Sequence, residues 1–173
     1  MVLALTGCAA QEAPPRVDDQ LLAALGLAQS YQHQADELIE LGQRDAAIAK
    51  VRQVLEIPFP RGAPEREDVR LDAYGRLAEL DLDGGDEAEA MRWIETGLSE
   101  STRTSYFKAR LFAVRGRVLR ARAASLRAEG RDEESRDVSR QAIEAFEQSI
   151  DINRQVLGMD HEDGSRQNAT EDR

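Results

Sequence analysis

A helical pattern of about twenty residues constrains this chain more than any other feature, because it recurs. Residues 38–57 read LIELGQRDAAIAKVRQVLEI. A helix ends at Gly42, a short turn follows, and Ala47, Val51, Val54 and Leu55 then share one face of a second helix. Residues 77–98, LAELDLDGGDEAEAMRWIETGL, repeat the unit around Gly84-Gly85-Asp86. Residues 141–152, QAIEAFEQSIDI, repeat its second half. One such hairpin cannot bury its own apolar face, so recurrence predicts an all-α stack of about three antiparallel helical hairpins. Aromatic residues make up only 5% of the chain, which leaves small and aliphatic side chains to fill the helix crossings. All five prolines lie at or before Pro64, so nothing from Glu65 onward interrupts a helix.

The first hairpin is expected over about 19–57. Leu22, Leu25, Ala28, Tyr31, Ala35, Leu38 and Ile39 follow a 3–4 spacing, and Asp18 or Asp19 stands where a cap is needed for a helix starting near Gln20. A loop with three prolines, PFPRGAPERED, separates it from a second hairpin at about 69–98. The third spans about 102–157 and turns near Gly130. Residues 158–173 are acidic and polar without apolar periodicity and are expected to be a disordered tail.

These hairpins resemble tetratricopeptide repeats, whose signature is W-x2-L-G-x2-Y followed by A-x3-F. Tyr31, Ala35 and Leu38 stand at the Trp, Gly and Tyr places of the first copy, and Ala47 and Val51 supply A-x3-F. Tyr74, Leu77 and Ala78 fit the second copy, with Ala90 and Ile94; Phe112, Gly116 and Leu119 fit the third, with Ala142 and Phe146. Gln34, Asp81 and Arg115 depart from the pattern. Gly116 and Ala142 are 26 residues apart, where an ordinary repeat has about 12. The turn at Gly130 divides that excess evenly, so the last hairpin should run two turns past the stack. The resemblance covers 19–157 and implies a non-catalytic module for binding a protein or peptide.

Ahead of the hairpins, Leu5-Thr6-Gly7-Cys8 resembles the lipobox of bacterial lipoproteins. That resemblance implies cleavage before Cys8 and acylation of its thiol and new amino terminus, with residues 1–7 as a truncated signal peptide. Residues 8–18 then form the anchor cysteine and a flexible linker. The implied location is a bacterial cell envelope, lipid-anchored at the outer membrane and facing the periplasm. Cys8 is the only cysteine, which excludes an intrachain disulfide and a multi-cysteine zinc site.

Charge is distributed unevenly. The chain carries −10 overall, which argues against nucleic-acid binding. Yet residues 103–129 hold eight Lys or Arg against one acid, so the remainder carries −17. At 100° per residue Arg103, Arg110 and Arg117 form one row, with Arg120 and Arg127 beside it. In the family the first helix of each repeat lines the concave groove. By that resemblance Arg110, Arg117 and Arg120 face acidic positions Asp36, Glu40, Asp72, Glu79 and Asp83 across a partner-binding groove. These rows either pair internally or solvate a long surface helix, or else they grip an extended peptide or meet an acidic partner or anionic headgroups.

No catalytic constellation, cofactor or metal site is expected. His33 and His161 are the only histidines, and His161 with Asp160, Glu162 and Asp163 lies in the unpatterned tail. The sequence thus predicts an interaction adaptor or scaffold on a lipid anchor. Its alternative is a structural subunit or self-assembling oligomer docking through the extended C-terminal hairpin.

Overall fold

The computed structural model describes residues 17–159. The described chain comprises six helices: α1 (Val17–Glu40), α2 (Arg44–Leu55), α3 (Glu65–Asp83), α4 (Glu87–Glu100), α5 (Tyr106–Ala128) and α6 (Asp132–Val156). They pair as α1–α2, α3–α4 and α5–α6, and each hairpin packs on the next through α2–α3, α3–α5 and α4–α5. The chain is an all-α helical repeat.

One local device makes all three hairpin turns. Gly42, Gly85 and Gly130 take φ of 71°, 82° and 77°, a region open to glycine at little cost. The residue after each glycine donates back to the carbonyl five residues earlier: Gln43 to Leu38, Asp86 to Asp81 and Arg131 to Leu126. Asp86 then caps α4 by accepting from the Glu89 amide, and Ser105 caps α5 from the Lys108 amide.

The core follows the small-and-aliphatic expectation. Ala47 and Val51 in α2, Ala90 and Ile94 in α4, and Leu77 and Ala78 in α3 are fully buried. Gly97 of α4 faces Tyr74 and Leu111, and Gly116 of α5 lies under the Phe146 ring. These are close crossings that permit helix-on-helix contact without large side chains. Asp81, standing where the signature has Tyr, is buried and accepts a 2.9 Å hydrogen bond from Trp93 Nε1.

Four expectations need correction. Helix α3 begins at Glu65, so residues 65–68 of the expected proline loop are already helical, directly after Pro64. Val17 already belongs to α1, so Asp18 and Asp19 lie inside its first turn, where carboxylates favour the helix dipole, instead of capping it from outside. Leu22 is 67% exposed and Ile39 42%. At 100° per residue Leu22 points some 160° away from buried Ala24, on a side of α1 that no other described helix covers. The last hairpin starts at Tyr106, after a non-helical stretch over 101–105.

The lengthening of the last hairpin is visible in register. Asp72–Arg110 and Glu79–Arg117 set α3 alongside α5 and bring Asp83 level with Ala121. The last seven residues of α5 therefore pass the end of α3, about two turns. Among the described residues no helix is long and apolar enough to cross a membrane.

Candidate functional site

Helices α1, α3 and α5 present a shared polar face. On α3, residues 72, 76, 79 and 83 recur at 3–4 spacing and so fall on one stripe. Gln32 of α1 donates to Asp72 at 2.8 Å, and Asp36 of α1 pairs with Arg76. From the other side, Arg110 of α5 pairs with both Asp72 and Glu79, the latter at 2.7 Å, and Arg117 also pairs with Glu79. A ladder of ion pairs thus runs from α1 through α3 to α5. The side chains of Arg110, Asp72 and Glu79 are each about one-quarter exposed, which shields the pairs partly from solvent.

The eight residues expected in the groove fall into two groups. Asp72 and Glu79 pair with Arg110 and Arg117, and Asp36 pairs with Arg76 in the same ladder. Glu40, Asp83 and Arg120 are exposed, near the turn end of the helices. Sequence reasoning missed Arg76 and Gln32, which complete the ladder. Arg76 lies four residues after Asp72 and three before Glu79, and that spacing was the available signal. Leu5, Thr6, Gly7 and Cys8, and His161 with its acidic neighbours, lie outside the described residues.

A cavity of about 380 Å³ opens beside the ladder, between α1 and the first turns of α3 and α5. Leu25, Ala28, Val69 and Phe107 make its apolar lining, with Gln29, Gln32, Glu65, Asp68 and Asp72 as the polar part. An apolar concavity with a few polar groups suits one anchoring side chain of an extended ligand.

The loops joining the hairpins are held by a second network, from residues some thirty positions apart. Arg70 donates to Glu100 through Nε at 2.7 Å and Nη2 at 2.9 Å, to the Leu55 carbonyl at 2.7 Å and to the Tyr74 hydroxyl at 2.7 Å. Tyr74 in turn donates to Glu100 at 2.7 Å. The Arg70 hydrogen bond holds the Glu100 carboxyl below its usual range and raises the guanidinium's own pKa. Burial, then the bond to Glu100, pushes the Tyr74 phenol up to about 12. Nearby, Glu67 accepts from the Thr102 hydroxyl and from the amides of Thr102 and Arg103. Burial opposes its ionisation, but these donors outweigh it and the Glu67 pKa lies below the ordinary value. This network fastens α3 to the chain at both of its neighbouring loops.

Residues 28–59 match a tetratricopeptide repeat. The match runs from the middle of α1 through α2 into the following loop, which is the first hairpin less the start of α1. No curated protein and no solved structure matches the chain. Tetratricopeptide repeats generally mediate protein–protein interaction and are typically non-catalytic. Among the described residues no group of three or more His, Cys, Asp or Glu is placed to hold a metal ion.

Proposed function

We propose that this chain is a non-catalytic adaptor that binds an extended segment of a partner protein along α1, α3 and α5, while an acylated Cys8 anchors it to a bacterial envelope membrane. The observation that carries the reading is the apolar cavity lined by Leu25, Ala28, Val69 and Phe107, set on the face that the first helices share. The ladder beside it spaces the helices, and exposed Glu40, Asp83 and Arg120 remain free to choose a partner by charge. Anchor and groove are separable. The LTGC motif and the linker supply the first, and the helical stack supplies the second.

The groove is tested by capture from envelope extracts with the full-length lipidated chain. Leu25→Arg/Gln29→Arg fills the cavity without touching a buried core residue, and a partner bound by the parent protein should be lost from the variant. Equal capture by both proteins would remove the groove from the account. For the anchor, Cys8→Ser should move the protein out of the membrane fraction and abolish the acyl mass increment. Membrane retention by that variant would refute lipidation as the anchor.

A further inference from the structure

Helix α6 distributes its side chains in an unusual way. It buries small residues against α5, namely Ser135, Ala142, Ala145 and Ser149. Val138 packs on the cluster formed with Leu119 of α5, but three other large aliphatic residues point elsewhere: Ile143 is 57% exposed, Ile150 50% and Leu157, one residue beyond the helix, 70%. A terminal helix that only shields a repeat stack from water carries a polar outer face. Here an apolar row lies beside the face that packs on α5. Residues 160–173 contain one alanine and no larger apolar side chain, so they cannot supply a matching surface.

The spacing of that row says what fits it. Positions 143, 150 and 157 repeat every seven residues, the period of a two-helix seam with left-handed supercoiling. The row is also self-complementary. A two-fold axis through Ile150 sets Ile150 against its own copy and Ile143 against Leu157 of the other chain. Glu147 and Arg154 lie on one flank, and the same axis brings each within one residue of the other across the seam. A parallel arrangement would put the two Glu147/Arg154 flanks on opposite sides of the seam and leave these pairs unmade. Within one chain Arg154 has only a 4.0 Å approach to Asp151, with both side chains mostly exposed, so it is available to a partner.

We infer that the chain forms an antiparallel homodimer through α6, with Ile143, Ile150 and Leu157 as the seam and Glu147–Arg154 as reciprocal ion pairs. The proposal is independent of the groove reading, because α6 is outside the face made by α1, α3 and α5. Three apolar layers make a small interface, so the dimer should dissociate in the micromolar range.

Sedimentation velocity across that range tests it on full-length protein carrying Cys8→Ser, which excludes disulfide-linked artefacts. The parent should shift from monomer to dimer with concentration. Ile150→Glu should weaken the dimer at least tenfold with an unchanged circular-dichroism spectrum, since the side chain is half exposed. Glu147→Arg alone and Arg154→Glu alone should each weaken it, and the two together should restore the parent's affinity. A parent that stays monomeric throughout, or a dimer indifferent to Ile150→Glu, overturns the proposal. Failure of the double reversal to rescue overturns the antiparallel arrangement.

Discussion

Gly97 offers the most direct test of how closely the hairpins pack. It lies inside α4, buried where that helix meets α3 and α5. A Cβ added there comes within 2.8 Å of Leu111 Cδ1, 3.1 Å of Tyr74 Cβ and 3.2 Å of Tyr74 Cδ2. Carbon atoms prefer about 3.5–4.0 Å, so alanine requires a shift of several tenths of an ångström. Leu111 can rotate, but Tyr74 Cβ is fixed to its backbone, and the phenol is held by Arg70 and Glu100. Overpacking of this kind costs about 1–3 kcal/mol, and the tethered tyrosine argues for the upper half. Replacing a mid-helix glycine by alanine returns about 1 kcal/mol, so Gly97→Ala should lose about 1–2 kcal/mol net. Gly26 supplies the internal control. It lies in α1 with nothing within 4 Å of an added Cβ, and Gly26→Ala should gain about 0.5–1 kcal/mol. Urea unfolding, followed by circular dichroism and Trp93 fluorescence, should move the two midpoints in opposite directions at equal slope. If both variants are stabilised alike, the three-helix junction is looser than these distances imply and the overpacking account is refuted.

Other consequences are open to measurement. Arg110→Met leaves Asp72 with Gln32 as its partner and no cation, and Glu79 with Arg117 alone, so it should destabilise by about 1–2 kcal/mol, with a smaller difference at high salt. A loss unchanged by salt would assign Arg110 to packing alone. Because the Glu67 and Glu100 pKa values are lower in the fold, their contribution is complete above the ordinary value of 4.5 and is lost as pH falls through the folded values. Stability should therefore decline from about pH 4.5 downward, and Glu67→Gln should flatten that decline; an unchanged acid limb argues against the Thr102 contacts. Asp81→Ala strands the Trp93 indole N–H and should cost about 1–3 kcal/mol, whereas Trp93→Phe/Asp81→Ala should show clear non-additivity in a double-mutant cycle.

The repeats were legible because packing rules act over short distances. Ala47 with Val51 and Ala90 with Ile94 announce a buried stripe through spacing alone, and the structure buries all four. The extra length of the last hairpin was readable as well, since the distance from Gly116 to Ala142 counts residues that a fixed helical rise must accommodate. Legibility ended where one side chain answers another from a different helix. Arg70 meets Glu100 across thirty residues and Glu67 meets Thr102 across thirty-five, and no local period encodes either meeting. Asp81 looked like a blemish in the signature until Trp93 stood opposite it. For the groove, the repeat resemblance already set the arginine row on α5 against acids of α1 and α3, but which arginine meets which acid became evident only with the register between the helices.

The two edges of the stack are fastened unequally, and this shapes how it can bend. Along one edge run the loops between hairpins, stitched by Arg70, Glu67 and Arg103 to several partners each. Along the opposite edge, among the described residues, the side-chain hydrogen bonds between successive hairpins are single ones, Arg44 to the Leu80 carbonyl and Ser125 to Glu87. A fan built this way is stiff at its pivot and compliant at its rim. The cavity beside Phe107 lies toward the pivot, so its shape stays constant while the spacing of Glu40, Asp83 and Arg120 adjusts. If the proposed groove binds its partner as argued above, it should be strict about the residue it anchors and tolerant of the girth of the rest of the ligand.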